Sequence, residues 1–127
     1  MSCILIVDDA ATVRLYHRAI LEPAGYAVDE AVNGLEALEK VQGTEYRLLL
    51  VDVNMPKLDG YRFLRELRSS PDLPQPPAIM ISTEAQAGDR AQAYGAGANL
   101  YMLKPARPDV LLAHVRVLLG DVAGGAA

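Results

Sequence analysis

The chain has little that would place it outside a cell or in a membrane. It carries a single cysteine, Cys3, so no internal disulfide can form and a reducing compartment is expected. Cys3 sits in an apolar run and reads as a small buried hydrophobe. Apolar runs such as Leu48-Leu49-Leu50-Val51 stop far short of the ~18 residues a membrane helix needs. The stretch Cys3–Val7 has no basic flank and runs into Asp8-Asp9, unlike a signal peptide. Basic residues are not in excess: twelve Lys and Arg against sixteen Asp and Glu leave a net charge of −4. Nucleic-acid binding through phosphates draws on clustered positive charge, which is not evident here. No G-x-x-x-x-G-K-[ST] or G-x-G-x-x-G motif occurs, so no nucleotide loop is evident. The expectation is a cytoplasmic protein with neither nucleic acid nor membrane as a partner.

What is present is regular. The 127 residues, 51% apolar and 22% charged, suit one domain with a real core. Apolar runs recur at Cys3–Val7, Tyr26–Ala31, Leu48–Val51, Ala78–Ile81 and Leu100–Leu103. Three of them are nearly continuous rather than alternating, as in strands buried on both faces of a parallel sheet. Helix-length segments lie between them. Leu35, Leu38 and Val41 recur at helical spacing, as do Tyr61, Leu64 and Leu67, and Leu111, Val115 and Leu118. Asn33 with Glu36 forms a capping-box pattern, Asp59-Gly60 can open a third helix, and Pro108-Asp109 suits a first turn. Gly25, Gly43 and Gly95 stand where helices are expected to stop. Ser70–Pro77 holds four prolines and is expected to be a loop. Five strands alternating with five helices predict an α/β domain, a doubly wound parallel sheet covered on both faces. Residues 120–127 are Gly/Ala-rich and are expected to form a flexible tail.

Sheets of this kind bind ligands outside the carboxyl ends of their strands. The first strand ends in Asp8-Asp9, the third in Asp52, the fourth in Ser82-Thr83 and the fifth in Lys104-Pro105. Singly, a strand-end Asp caps a helix and a Lys is a solvated group. Together, three acids in one crevice repel and need a cation. Oxygen donors without nearby His or Cys favour Mg²⁺. A carboxylate, a Lys, a hydroxyl and Mg²⁺ also make a phosphoryl-transfer constellation, in which an ionised carboxylate can be the nucleophile without a general base.

These four motifs, Ile4-Leu5-Ile6-Val7-Asp8-Asp9, Val51-Asp52-Val53-Asn54-Met55-Pro56 with Asp59-Gly60, Ile81-Ser82-Thr83-Glu84 and Lys104-Pro105, closely resemble the receiver domain of two-component response regulators. Among these they are similar to the single-domain, CheY-like chemotaxis regulators. The resemblance covers about residues 3–119 and implies a flavodoxin-like five-stranded sheet of order 2-1-3-4-5, with a receiver domain over 1–119. It implies Asp52 as phosphoacceptor and Asp9, Asp52 and the Asn54 carbonyl as direct Mg²⁺ ligands, with Asp8 acting through water. It also implies that Lys104 contacts the phosphoryl group, that Pro105 follows a cis peptide bond, and that Ser82, with Thr83 beside it, is the switch hydroxyl. Tyr101 would be the aromatic that turns inward, and the fourth helix, fifth strand and fifth helix the output surface.

The role so implied is a stand-alone, monomeric signalling switch rather than an enzyme. It would be phosphorylated by a sensor histidine kinase of the CheA type and read by a flagellar motor switch protein or a phosphatase. The alternatives are a phosphate sink or relay receiver without an output partner, and a Mg²⁺-dependent phosphatase-like enzyme with an Asp nucleophile. Ser82 stands where Thr is commoner in the family. Ala10 and Asn54 occupy positions that modulate dephosphorylation in the family. Arg107 stands where a Ser or Thr cap is expected. The segment Ala85–Tyr94, with Ala as its main apolar residue, reads as a weakly anchored mobile helix. His17 and His114 read as partly exposed helix residues away from the strand ends, and Arg62, Arg65 and Arg68 as a solvated stripe.

Overall fold

A computed structural model describes residues 3–83 and 87–121 of the chain. Ten elements alternate: β1 Cys3–Val7, α1 Ala11–Leu21, β2 Ala27–Ala31, α2 Gly34–Gly43, β3 Leu48–Asp52, α3 Gly60–Arg68, β4 Ala78–Ser82, α4 Ala87–Ala96, β5 Leu100–Leu103 and α5 Pro108–Leu119. The strands are all parallel, in the order β2-β1-β3-β4-β5. The expected flavodoxin-like architecture is therefore present, and the chain reverses direction across the sheet between β1 and β3. Val7 pairs with Val51, Asp52 with Ile81 and Ser82 with Leu103, which levels the carboxyl ends of four strands along one edge.

The continuous apolar runs serve two cores at once, because successive strand side chains point to opposite faces. Leu5, Val7, Leu49, Val51 and Met80 pack with residues of α2, α3 and α4, including Val41, Phe63, Leu64 and Ala93. Ile4, Ile6, Leu48, Leu50, Ile79 and Ile81 pack with Leu21 of α1 and with Leu111, Val115 and Leu119 of α5. Burying a Leu, Ile or Phe side chain stabilises by about 1.5–3 kcal/mol, so these two layers fix the sheet on which the strand ends are mounted.

Several boundaries differ from expectation. In α2 the buried residues are Gly34, Ala37 and Val41, whereas Leu35 is exposed. The helix lies so close to the β3–α3 loop that a Cβ on Gly34 would overlap the carbonyl oxygen of Leu58, so small residues face inward and the large one faces out. In α5 the buried register continues to Leu119, with Leu118 only partly buried. Gly95 lies inside α4, and the turn that ends it belongs to Gly97, whose φ of +113° suits a residue without Cβ. Cys3 is half-buried at the start of β1 rather than fully enclosed. The Asn33 side chain accepts from the Glu36 amide, but Glu36 reaches back to Val32 instead of Asn33. Arg107 caps α5 without a side-chain bond, and Pro108 opens the helix. Gly120 closes α5 with φ +75°. Glu84, Ala85, Gln86 and residues 122–127, on which part of the switch segment and most of the expected tail fall, lie outside the described residues.

Candidate functional site

The site is built where β1 and β3 end side by side. Asp8, Asp9 and Asp52 each bring a carboxylate oxygen to within 4.8 Å of the others. Asp8 and Asp52 are buried and Asp9 is exposed. The Asp8 carboxylate is oriented by the amide of Ala10, which donates to Oδ1 at 2.9 Å. Lys104, just past β5, crosses the end of β4 and places Nζ 3.0 Å from Asp8 Oδ2 and 2.9 Å from Asp52 Oδ1. Its position is anchored by its own amide, which donates to the Ser82 carbonyl at 2.8 Å. The Lys104–Pro105 peptide bond is cis.

The electrostatics follow from this crowding. Burial raises the Asp52 carboxyl above its ordinary value, the charges of Asp8 and Asp9 push the same way, and Lys104 opposes them. Lys104 is lowered by burial, but its bonds to Asp52 and Asp8 outweigh that and hold the ammonium above its usual value. Three carboxylates face one ammonium, so the pocket remains short of positive charge. All the clustered donors are oxygens, the set that hard divalent cations take. The cluster therefore fits Mg²⁺, with Asp8, Asp9 and Asp52 as the residues that would hold it.

The floor is shaped by close backbone packing. A Cβ on Gly60, the first residue of α3, would overlap the carbonyl oxygen of Asp52. Only glycine lets α3 start so near the acceptor strand, with Asp59 capping the Arg62 amide at 2.9 Å. Between them Leu58 N–H bonds the Pro56 carbonyl at 2.8 Å, and Lys57 takes a φ of +71°. This is a γ-turn, a strained form seldom adopted. Asn54 is exposed in the same loop, two residues past Asp52.

The remaining expected residues fall around this centre. Ser82 is buried at the end of β4 and Thr83 is exposed beyond it. Tyr101 is already buried on β5, paired in register with Met80, and the Arg90 guanidinium carbon lies 5.4 Å from its ring centre. Arg90, Tyr101 and Leu103 line a groove of about 360 Å³ with Arg107 and His114 of the α5 side. His114 is partly exposed, as expected.

Three residues stand differently from what the sequence implies. His17 is not a partly exposed residue remote from the strand ends. It is buried beside the cluster, lines the space around Asp8 and Asp52, and its Nδ1 has no hydrogen-bond partner among the described residues. Burial lowers its imidazole to about 4, with Asp8 opposing and Lys104 adding to the shift, so the ring is neutral. Arg14, which no sequence motif marks, donates from Nη1 to the Asp8 carbonyl at 2.8 Å and is itself held by Glu30 at 2.7 Å. Its position one turn into the helix after an acidic strand end was the available signal. Arg62 and Arg65 are solvated, but Arg68 is not: it is half-buried and bonds to Gly97 and Gln75.

The chain is similar to known proteins. The family model described as response regulator receiver domain matches residues 4–116. The chain is 37% identical over 119 residues to chemotaxis protein CheY1 of Helicobacter pylori, covering 92% of this chain and 96% of that protein. It is 41% identical over 101 residues to the gliding motility regulatory protein of Myxococcus xanthus, covering 80% of this chain and 13% of that protein. It is also 42% identical over 115 residues to the sensor protein EvgS of Escherichia coli, covering 91% of this chain and 9% of that protein. The chain thus spans only a small part of these two longer relatives. Among solved structures, the chemotaxis protein CheY4 of Vibrio cholerae superposes with a TM-score of 0.86 at 32% identity, covering 94% of this chain and 99% of that one.

Proposed function

We read the role of this chain from the family to which it belongs, the response regulator receiver domains, and propose that it is a switch driven by phosphorylation of Asp52. Receiver domains take phosphoryl groups from histidine kinases and act in signalling rather than as classical enzymes. The observation that carries the assignment of Asp52 is its placement: a buried carboxylate at the β1–β3 switch point, 2.9 Å from Lys104 and clustered with Asp8 and Asp9. The donor is a phosphohistidine. An Asp52 oxygen attacks phosphorus, the P–N bond breaks, and its electron pair returns to the donor imidazole, which gains a proton. Bound Mg²⁺ supplies charge neutralisation for the phosphoryl oxygens. Lys104 leaves its bond with Asp52 to meet an incoming phosphoryl oxygen, while Asp9, Asp52 and the Asn54 carbonyl would hold Mg²⁺ directly and Asp8 would act through a water. Little more than positioning and electrostatics is required.

The output follows from Ser82 and Tyr101. A phosphoryl group on Asp52 draws the Ser82 hydroxyl and its backbone, and the change passes along β4 and β5 to Tyr101 and the α4–β5–α5 groove. α4 is suited to move: among the described side chains, its buried ones are the alanines Ala93 and Ala96, small surfaces that hold a helix weakly. We assign the output to chemotaxis, with a CheA-type kinase as donor and a motor switch protein as the reader. This is supported by the Helicobacter pylori and Vibrio cholerae chemotaxis proteins, of which the chain covers 96% and 99%. No helix among the described residues is long and apolar enough to cross a membrane. The test is retention on immobilised candidate partners before and after treatment with a small acyl phosphate and Mg²⁺. A motor switch protein bound better after treatment supports the chemotaxis role; kinase binding alone points to a phosphate sink.

A further inference from the structure

At the opposite edge of the sheet from Asp52, a shallow hollow of about 500 Å³ opens between the end of α3 and the β4 and β5 entries, lined by Arg68, Gln75, Pro76, Pro77, Gly97 and Asn99. Its polar groups are unbalanced. Arg68 is half-buried, and no carboxylate among the described residues lies within ion-pair distance of it; its partners are neutral oxygens. Nε donates to the Gly97 carbonyl at 3.1 Å, Nη1 to Gln75 Oε1 at 3.1 Å, and Nη2 stands 3.5 Å from Asn99 Oδ1. A guanidinium has five N–H donors and no acceptor, so one N–H on each terminal nitrogen is left over. Burial without a facing acid lowers its pKa from the usual value.

The neighbouring side chains add a donor, and their own acceptors are engaged. Asn99 Oδ1 is taken by the Ala78 amide at 2.9 Å and by Arg68, which fixes the amide and leaves its NH₂ without a partner among the described residues. Gln75 Nε2 is spent on the carbonyls of Leu67 and Ser70, and its Oε1 on Arg68. Pro76 and Pro77 have no N–H and form walls. The seat is made for the arginine: a Cβ on Gly97 would overlap the Arg68 side chain, the residue has a φ of +113° that suits glycine, and its carbonyl accepts from Arg68 Nε. A charged fork and an oriented amide, both donors, converge on an open hollow, the arrangement that planar oxyanions match in bidentate fashion.

We propose that this hollow binds a small oxyanionic ligand, by its size a di- or tricarboxylate, held by the Arg68 guanidinium and the Asn99 amide. The site is independent of the phosphoacceptor and uses none of its residues. Citrate and inorganic phosphate, each titrated into the ¹⁵N-labelled full chain without Mg²⁺ and at ionic strength matched with chloride, distinguish a carboxylate site from a general oxyanion site. The expected result is saturable movement of the Arg68 Nε, Asn99 Nδ2 and Gly97 signals with citrate, at least tenfold tighter than with phosphate, and no movement of the Lys104 amide. Arg68→Gln removes the fork. Asn99→Asp keeps the acceptor for Ala78 and Arg68 but puts a carboxylate in the ligand's place, so it folds and still fails to bind. Loss of saturable shifts in both variants supports the site. No saturable shift in the wild-type chain, equal response to chloride, or unchanged citrate binding in Asn99→Asp would overturn it.

Discussion

Lys104 reaches Asp52 across an intervening strand: the ammonium follows β5, the carboxylate ends β3, and Nζ and Oδ1 are 2.9 Å apart. The same Nζ bonds Asp8 at 3.0 Å, so one cation separates two buried acids. Replacing it by an apolar side chain leaves those acids facing each other. Lys104→Met is expected to lose on the order of 2–3 kcal/mol of stability at pH 7, somewhat less than a fully enclosed pair. The loss shrinks as pH falls, because the Asp52 carboxyl, raised by burial, takes up a proton. Urea unfolding at pH 7 and at pH 4.5 checks this; a variant as stable as wild type at pH 7 contradicts the pairing.

The acid cluster itself opposes folding when no divalent cation is bound. The folded-state carboxyl of Asp52 lies above its ordinary value, chiefly through burial. Its contribution is favourable below the unfolded-state value and is lost as pH rises through the folded-state one. At neutral pH without metal, Asp52→Asn is therefore expected to melt several degrees above wild type. Added Mg²⁺ is expected to reverse the order, because ligand at a hundred times its Kd stabilises the wild type by about 2.7 kcal/mol. Thermal scans with Mg²⁺ and with a chelator decide it. A wild-type Tm indifferent to Mg²⁺ would remove the metal from the site.

Glycines that look alike in sequence are expected to respond in opposite directions. Gly60→Ala places a Cβ against the Asp52 carbonyl oxygen and is expected to cost about 1–3 kcal/mol, as overpacking does, and to slow phosphorylation. Gly95 lies inside α4 with no neighbouring atom within 4 Å of an added Cβ. Gly95→Ala is expected to stabilise by about 0.5–1 kcal/mol. Denaturant midpoints of the two variants give the comparison, and equal effects would contradict the close approach of α3 to β3.

His17 gives a pH signature. Its imidazole is lowered by burial to about 4 from an ordinary 6.5. Between those values the unfolded chain binds a proton that the folded chain refuses, so stability is full above about 6.5 and falls as pH drops toward 4. Relative to His17→Leu, wild type is expected to lose on the order of 3 kcal/mol across that window. Parallel stability–pH curves for the two proteins would show that His17 is not enclosed.

Much of this was legible because the signals are strong ones. Runs such as Ile4–Val7 and Leu48–Val51 are apolar at every position because both faces of a central parallel strand are covered, and the acids appear where those runs stop. The errors have physical causes as well. Leu35 fits the helical period of α2, yet the close contact of Gly34 with Leu58 turns small residues inward. Gly95 and Gly97 are indistinguishable in a string, and only the +113° φ at Gly97 shows which ends the helix. Arg68 continues the stripe of Arg62 and Arg65, but its seat depends on Gly97, 29 residues away in the chain. A lone histidine carries no periodic signal, so the burial of His17 against Asp8 and Asp52 could be found only in three dimensions.

The most direct test locates the phosphoryl group. The chain is incubated with Mg²⁺ and a small acyl phosphate, reduced with borohydride to convert an aspartyl phosphate to homoserine, digested and sequenced by tandem mass spectrometry. Homoserine at position 52, in one molecule per phosphoryl group gained and absent from Asp52→Asn, is the expected result. Homoserine at position 8 or 9 instead, or no gain of a phosphoryl group by the wild-type chain, would contradict the assignment of Asp52 as the acceptor.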